Sequence, residues 1–356
     1  MKPSWKDARL AALNALAVFL VATVAACGAA PATTTAPQPE PSTATAAGGP
    51  YPVSIEHKYG STTIPAKPQR IVTVGLTDQD AVLALGEVPV GTTEWFGGFK
   101  GAIGPWAEDE LAGRPVPTVL TDTGSGPQVE KIAALRPDLI LALYSGLSKE
   151  QYETLSKFAP VVAPPARYKD YGIPWQVLTE TVGRALGRAD EARSLVAGVE
   201  ARFADERAEH PEFADATGLV LTLYEGFFVY GSEDLRTRTL TSLGFKLPAD
   251  LDKALGDQFG ASVSKERTDL LDQDVAVWTV PDVDKDSATL HKDPVYGDLP
   301  VVKEGREVFV GEGSAYGSAF SFVSVLSLPY VLDRLVPQLA AAVDGDPATK
   351  VAPPAS

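Results

Sequence analysis

Residues 190–210, DEARSLVAGVEARFADERAEH, decide the fold. Apolar side chains recur at three- and four-residue spacing in this stretch, and they are Ala192, Leu195, Val196, Val199 and Phe203. Such spacing predicts a helix with one apolar stripe. We expect Asp190 to cap the helix and Pro211 to end it. At the rise of an α-helix the segment spans roughly 30 Å, about the width of a small domain.

Strand and helix patterns alternate on both sides of this predicted helix. Short β-branched or apolar runs precede it at 70–75, 88–91, 138–143 and 161–163, and similar runs follow it at 219–224, 275–280 and 307–310. Amphipathic stretches separate many of them. Alternation of this kind is typical of α/β proteins with parallel sheets.

The two flanking regions repeat each other weakly. Each has a glutamate, a leucine five positions later and an aspartate eight positions later, and the two sets are Glu130, Leu135, Asp138 and Glu266, Leu271, Asp274. A leucine–glycine pair also ends a predicted helix upstream in each region. The repeat favours two similar α/β lobes with mainly parallel sheets, joined by a single long interdomain helix. Burial of this helix in one large sheet is the alternative.

The N-terminus has the pattern of an export signal. Lys2, Lys6 and Arg9 precede Leu10–Ala26, a small and apolar run that is too short for a confident membrane span. Cys27 is the single cysteine, so an internal disulfide is excluded. The stretch before it resembles the bacterial lipobox, in which the cysteine is diacylated and becomes the new N-terminus. A plain signal peptide with an incidental cysteine is the alternative.

Charge and composition define the predicted boundaries. The net charge of −15 argues against nucleic-acid partners and against electrostatic membrane binding. Membrane attachment would instead come from acyl chains. Residues 29–50 contain almost no large apolar side chain, which is typical of a flexible tether. We predict a signal peptide, a tether, an N-terminal lobe, the interdomain helix, a C-terminal lobe and a disordered tail at 1–26, 27–50, 51–187, 188–210, 211–343 and 344–356.

The sequence lacks the usual motifs of catalysis and metal binding. His57, His210 and His291 are scattered, and no cysteine pair or oxygen-rich calcium loop occurs. A protein site for a bare transition metal needs several imidazole or thiolate ligands, so none is predicted. Neither a Gly-x-Ser-x-Gly elbow nor a phosphate loop is present. We therefore predict a protein that is not an enzyme and has no resident cofactor.

Aromatic residues and arginines follow the predicted strands. In open α/β sheets, ligands bind beyond the carboxyl ends of strands. Aromatic faces provide a broad apolar surface, and arginines pair with anionic oxygens. Together they predict a bulky anionic ligand between the two lobes. Burial of most of these aromatics in the core is the alternative.

Several stretches carry a family resemblance. Residues 70–74, 84–86, 89–91 and above all 130–140, EKIAALRPDLI, resemble the iron–siderophore substrate-binding lipoproteins of ABC transporters. The resemblance extends over roughly 64–342. It implies a lipid-anchored protein on the outer face of the cytoplasmic membrane. Such a protein captures a ferric siderophore between its lobes and delivers it to an ABC permease dimer.

The resemblance also implies functional residues. Glu130 and Glu266 match the glutamates that each lobe presents to arginines of the permease. The loops that supply cleft ligands point to Trp95, Tyr144, Arg167, Tyr224, Arg236, Arg238, Trp278 and Tyr316. No histidine falls at these positions, so we expect the iron to arrive already chelated. We also expect the protein to be a monomer. Three alternatives are a haem or cobalamin-type binder, an exported lipid-anchored hydrolase and an interaction protein with a degenerate cleft.

Overall fold

The computed structural model describes residues 50–94, 97–122, 126–256, 258–264, 267 and 270–354. It contains a two-stranded hairpin and two five-stranded sheets, one on each side of the long helix. The predicted α/β fold class, with two lobes and mainly parallel sheets, is confirmed. In the described residues no helix is both long and apolar enough to span a membrane.

The N-terminal lobe is a parallel sheet behind a hairpin. Its strand order is β5-β4-β3-β6-β7, and every neighbouring pair is parallel. The strands are β1 (Val53–His57), β2 (Gly60–Ile64), β3 (Ile71–Thr73), β4 (Gly91–Glu94), β5 (Thr118–Thr121), β6 (Leu139–Leu141) and β7 (Val161–Val162). The helices are α1 (Asp78–Ala84), α2 (Val129–Ala134), α3 (Lys149–Leu155) and α4 (Trp175–Ala185).

Local sequence signals explain several element boundaries. Ser148 caps α3 in a reciprocal capping box with Gln151. Gly86 follows the last residues of α1 with φ 75°, a conformation that favours glycine. Between β4 and β5 the chain forms 3-10 helices at Lys100–Ala102 and Pro105–Leu111.

The C-terminal lobe follows α5 (Ala189–Glu209) and a 3-10 helix at Pro211–Ala214. Its strand order is β10-β9-β8-β11-β12, in which β8, β11 and β12 are parallel and β9 is antiparallel to both neighbours. The strands are β8 (Gly218–Leu223), β9 (Phe227–Tyr230), β10 (Gly260–Val263), β11 (Val275–Val280) and β12 (Glu307–Gly311). The helices are α6 (Leu235–Ser242), α7 (Leu251–Leu255), α8 (Val283–Lys292), α9 (Pro300–Lys303), α10 (Ala315–Ser321) and α11 (Ser327–Ala342).

The two aspartates of the sequence repeat have equivalent roles. Asp138 accepts hydrogen bonds from the backbone N–H groups of Gln69 and Arg70, both at 2.8 Å, just before β3. Asp274 accepts from the backbone N–H of Thr217 at 2.7 Å, just before β8. In each lobe a carboxylate at the start of one central strand therefore fixes the start of its neighbour.

The long helix α5 packs on both lobes. Its prediction was right within one residue at each end, but the prediction that Asp190 caps it is wrong. Asp190 lies in the first turn without a capping bond, and its carboxylate faces Arg193. On the N-terminal side α5 packs on α4 so closely that a Cβ added to Gly183 would lie 2.3 Å from that of Ala192. On the C-terminal side Arg202 contacts Asp333 of α11 at 3.0 Å.

One apolar core runs through both lobes. It includes Leu141 of the N-terminal sheet, Val199 and Phe203 of α5, and Val277 and Val308 of the C-terminal sheet, all buried. Helix α5 is therefore a connector and also a packing element of this core. The sequence predicted only the first role.

Residues 344–354, which belong to the predicted tail, pack on α11. Residues 344–354 turn back along α11, where Val351 lies against the shared core. The amide of Gln338 donates a hydrogen bond to the carbonyl of Ala352 at 3.0 Å. The small and proline-rich composition of this segment does not prevent such a contact, since the partners are on α11.

Candidate functional site

A cleft between the lobes is lined by side chains from both of them. The N-terminal lobe contributes residues that follow β3, β6 and β7, and the C-terminal lobe contributes residues around α6, β10 and α10. The lining residues are Leu76, Tyr144, Lys169, Asp170, Tyr171, Gly172, Glu233, Asp234, Arg236, Phe259 and Phe322. The cavity holds about 200 Å³ and adjoins another of about 280 Å³, with Leu76 and Tyr171 lining both.

Asp78 fixes the backbone that leads into the cleft. Its buried carboxylate accepts hydrogen bonds from the backbone N–H groups of Leu143 at 2.7 Å and Tyr144 at 3.1 Å. The carboxylate lies so close to Gly75 that a Cβ there would be 2.4 Å from it. The turn between β3 and α1 therefore requires glycine at position 75. Through the Asp78 carboxylate, the same turn fixes the backbone of Tyr144.

Aromatic rings form one wall of the cleft. Tyr144 makes edge contacts with Tyr171, at 5.5 Å between ring centroids, and with Phe322 of the other lobe, at 6.2 Å. Tyr171 has φ 60°, which is uncommon for a non-glycine residue, and is 44% exposed. Burial raises the pKa of the Tyr144 phenol. The phenol is therefore protonated and can donate a hydrogen bond.

Arg236 and Asp234 form an ion pair at the start of α6. The guanidinium donates to both carboxylate oxygens, from Nε at 2.9 Å and from Nη2 at 2.8 Å. Its central carbon also lies 3.6 Å from the centroid of the Tyr230 ring. Asp234, which caps α6, raises the pKa of Arg236 against the opposing effect of burial. The positive charge of Arg236 is thus largely compensated within the protein.

Two basic residues connect the lobes at the edge of the cleft. Arg238 donates from Nη1 to the carbonyl of Gly172 in the N-terminal lobe at 2.7 Å. Lys169 of the N-terminal lobe lies 3.7 Å from the carboxylate of Glu233 in the C-terminal lobe. These contacts hold the loop around Tyr171 against α6.

Three of the predicted ligand-binding residues lie at the cleft. Tyr144 and Arg236 line the cavity, and Arg238 lies at its edge. The predictions for Trp95 and Glu266 fall outside the described residues, as does that for Cys27. Glu130 is exposed in the first turn of α2.

The other four predicted ligand-binding residues lie elsewhere. Trp278 is fully buried in β11, where its indole N–H donates to the hydroxyl of Tyr296 at 2.6 Å. This central strand is buried on both faces, so its side chains belong to the core. Tyr224 is 63% exposed at the β8–β9 turn, and Arg167 is exposed and lies over the ring of Tyr168. Neither lines the cleft, because their turns direct them to solvent.

Tyr316 is the fourth of these residues and lines a different cavity. It is buried in α10, with its hydroxyl donating to Gln338 at 3.0 Å. The cavity holds about 560 Å³ between β12, α11 and residues 351–354. Although this cavity is larger than the cleft, every residue lining it belongs to the C-terminal lobe and the tail. It therefore lacks the two-sided arrangement that the resemblance implies.

Sequence reasoning missed several cleft residues. Tyr171, Asp234, Phe259 and Phe322 line the cavity but were not among the predicted ligand contacts. A signal existed for Asp234, since an aspartate before a helical run is a typical cap. No comparable signal marks Tyr171, whose position depends on a loop conformation with positive φ.

A buried hydrogen bond joins the lobes at α1. Asp80 accepts from Ser324 of the C-terminal lobe at 2.5 Å and from the indole N–H of Trp106 at 2.8 Å, both on Oδ2. Its Oδ1 is buried without a hydrogen-bond partner among the described residues. Burial raises the pKa of Asp80 from 3.8 to about 6, against the effect of the two hydrogen bonds. The lobes are thus joined through the carboxyl group of Asp80, whose ionised form is disfavoured by burial.

Comparison with known proteins agrees with this architecture. Residues 71–312 match the model of the periplasmic binding protein family. The chain belongs to that family. A periplasmic solute binding protein from Mycobacterium smegmatis str. MC2 155 is 36% identical, with a TM-score of 0.71 over 82% of this chain and 98% of that one.

Two further relatives carry more specific names. PiaA of Streptococcus pneumoniae TIGR4, solved in complex with ferrichrome, is 29% identical, with a TM-score of 0.73 over 83% of this chain and 99% of PiaA. The probable siderophore-binding lipoprotein YfiY of Bacillus subtilis (strain 168) is 30% identical over 63% of this chain and 68% of YfiY.

The pKa of Asp80 predicts a pH-dependent stability. Because its folded-state pKa lies above the ordinary value, folding takes up a proton in this window. The free energy of unfolding should therefore rise as the pH falls from about 6 toward 3.8, by up to ~3 kcal/mol per group. Asp78, with a pKa also raised to about 6 by burial, contributes in the same direction.

We expect Asp80→Asn to remove roughly half of this pH dependence without loss of stability at pH 7, because the amide mimics the protonated carboxyl. Urea unfolding, followed by far-UV circular dichroism at several pH values, measures the pH dependence of the free energy of unfolding. Asp78→Asn is the contrasting variant. Asparagine has one acceptor oxygen where the Asp78 carboxylate uses two, so one backbone hydrogen bond is lost and the protein should be destabilised by ~1–3 kcal/mol. An unchanged pH slope in Asp80→Asn would contradict the assignment.

Proposed function

We propose that this protein captures a ferric siderophore in the cleft between its lobes and delivers it to an ABC permease. The observation that carries the proposal is the cleft itself. Aromatic rings from both lobes, a protonated tyrosine and an arginine converge there, in a chain of the periplasmic binding protein family. Large apolar faces with a few placed polar groups suit a bulky chelate.

The named relatives support this class of ligand. YfiY is named a probable siderophore-binding lipoprotein, and PiaA was solved with ferrichrome. The likeness to PiaA covers 83% of this chain and the family match spans residues 71–312, so the similarity includes both lobes and the region of the cleft.

The iron would arrive already chelated. In the described residues no group of three or more histidine, cysteine, aspartate or glutamate side chains could hold a metal ion. The ligand would therefore be recognised through the organic shell around the iron, by stacking and hydrogen bonding. The protein's task in this proposal is binding and transfer.

Small lobe movement accompanies the transfer in this proposal. The shared core, the Asp80–Ser324 hydrogen bond and the Arg238–Gly172 hydrogen bond all join the lobes. Helix α5 packs along this core and resists bending. The permease would then have to recognise a nearly rigid surface.

The permease-facing surface would include Glu130 and Glu266. Glu130 is exposed at the start of α2. Glu266 has the same offset to Asp274 as Glu130 has to Asp138, and these two aspartates perform the same task in the two lobes. We propose that both glutamates bind arginines of the permease dimer.

Attachment to the membrane would come through Cys27. The lipobox-like sequence Val24–Cys27 supports diacylation, and two acyl chains are enough for stable anchoring. The tether would let a monomeric binding protein reach its permease on the outer face of the cytoplasmic membrane.

Binding of a chelate should quench the intrinsic tryptophan fluorescence of the purified protein. We expect saturable quenching by ferrichrome, and none beyond the optical control from the same concentration of ferric chloride. Replacing Tyr171 by Ala should weaken binding about fivefold, since one aromatic contact is worth ~1 kcal/mol. Tyr224→Ala is the matched control, an exposed tyrosine outside the cleft. Equal loss in both variants would contradict the cleft as the binding site, and equal quenching by ferric chloride would contradict recognition of a chelate.

Replacing both Glu130 and Glu266 by Ala should abolish uptake of a radiolabelled ferric siderophore by cells, while binding by the purified protein stays unchanged. The reason is that the two carboxylates would contact the permease and not the ligand. Glu153→Ala offers a control at another exposed acidic position, on α3. A fall in binding affinity of the double variant would place the glutamates in ligand recognition instead.

Replacing Cys27 by Ala should move the protein from the membrane fraction to the soluble fraction of expressing cells. The thiol is the attachment point of the acyl chains in this proposal, so metabolic labelling with a fatty acid should also disappear. Membrane association that survives the substitution would refute lipidation as the anchor.

A further inference from the structure

The charged side chains that line the interlobe cleft contain more acid than base. The described lining residues include two cations, Lys169 and Arg236, and three carboxylates, Asp170, Glu233 and Asp234. Each of the two cations already has a carboxylate partner. The cleft therefore differs from the arginine-rich anion site that the sequence predicted.

Arg236 is the most deeply held of these cations. Its side chain is 13% exposed and that of Asp234 is 5% exposed, so solvent screens the pair only weakly. Both oxygens of Asp234 accept from the guanidinium, and Tyr230 covers one face of it. A bidentate pair of this kind leaves little positive potential for a ligand.

The other basic groups near Arg236 also have polar partners in the protein. Arg238 donates to the carbonyl of Gly172, and Lys169 faces Glu233. Asp170 is matched by Lys58, at 2.5 Å. One more carboxylate, Glu312, contacts Thr222 at 3.4 Å. Burial raises the pKa of the Tyr230 phenol most, and Asp234 and Glu312 add to this effect against Arg236. The cations near the cleft, Lys58, Lys169, Arg236 and Arg238, thus equal the carboxylates Asp170, Glu233, Asp234 and Glu312 in number, and the charge around Arg236 is close to neutral.

The charge balance of the cleft affects which ferric chelates can bind there. Three hydroxamate groups each carry one negative charge and together neutralise Fe(III). Three catecholate groups carry twice that charge and leave a trianion. Moving an anion from water into a cleft without an excess of positive charge costs free energy, whereas a neutral chelate avoids that cost.

We propose that the cleft selects ferric chelates without net negative charge, and that Asp234 determines this specificity by neutralising Arg236. This inference rests on the proposed function, and it adds the chemical class of the ligand, a ferric tris-hydroxamate or a similar neutral chelate. The aromatic wall of Tyr144, Tyr171 and Phe322 contacts the body of the chelate.

The test compares two chelates of opposite charge class on the purified protein by fluorescence titration. The probes are ferrichrome, a neutral tris-hydroxamate, and ferric enterobactin, a trianionic tris-catecholate. We expect the wild type to bind ferrichrome at least ~10-fold more tightly, the ratio that 1.4 kcal/mol produces. Equal or tighter binding of ferric enterobactin would overturn the inference.

The decisive variant is Asp234→Asn. Asparagine can still cap α6, while Arg236 loses its anionic partner. The preference for ferrichrome should shrink about tenfold, through tighter binding of ferric enterobactin. Asp234→Glu retains the charge and should retain the wild-type preference. An unchanged ratio in Asp234→Asn would overturn the role given to Asp234.

A matched control variant distinguishes the loss of the local charge at Asp234 from the loss of any negative charge on the protein. Asp215→Asn removes the same charge outside the cleft, directly after the 3-10 helix Pro211–Ala214, where the Asp215 side chain is 96% exposed beside Lys246. Its chelate preference should equal that of the wild type, and a change as large as in Asp234→Asn would overturn the local mechanism. A wild-type protein that binds neither chelate would instead refute the proposed function, which keeps the two failures distinguishable.

Discussion

The continuity of the apolar core across both lobes is the constraint on which the architecture depends. Helix α5 packs on α4 through the close approach of Gly183 to Ala192, and it reaches α11 through Arg202 and Asp333. The lobes therefore share buried surface and are not held by a covalent connection alone. The cleft can keep its aromatic wall in place because the elements that carry it belong to one packed unit. Preorganisation of this kind lowers the conformational entropy that binding would otherwise cost.

The sequence predicted the parts of the fold that periodicity and repetition control. The long helix was recognisable because its apolar stripe extends over several turns. The two-lobe organisation was recognisable because Asp138 and Asp274 occupy equivalent positions, and the structure shows both binding the backbone before a central strand. The shared core was not predictable, because the stripe on α5 does not reveal how many neighbours it faces. The same stripe would suit a helix that packs on one lobe.

The candidate site was predictable only in part, since strand-end position does not decide orientation. Tyr144 follows a strand and lies at the cleft, whereas Tyr224 also follows a strand but is turned to solvent by a tight hairpin. Trp278 lies within a strand that is covered on both faces. Arg236 was predicted to offer its positive charge to a ligand. Its pairing with Asp234, two residues earlier, depends on how the first turn of α6 places both side chains.

The left-handed backbone of Tyr171 links the shape of the cleft to the contact between lobes. Its neighbour Gly172 receives the hydrogen bond from Arg238, so a side chain of one lobe holds a loop of the other in an unfavourable conformation. Separating the lobes would break that bond and let the loop relax. The aromatic wall would then be withdrawn from the ligand at the moment the cleft widens. A permease that pulls the lobes slightly apart would thereby loosen the grip on the cargo from two sides, and release would need only a small displacement.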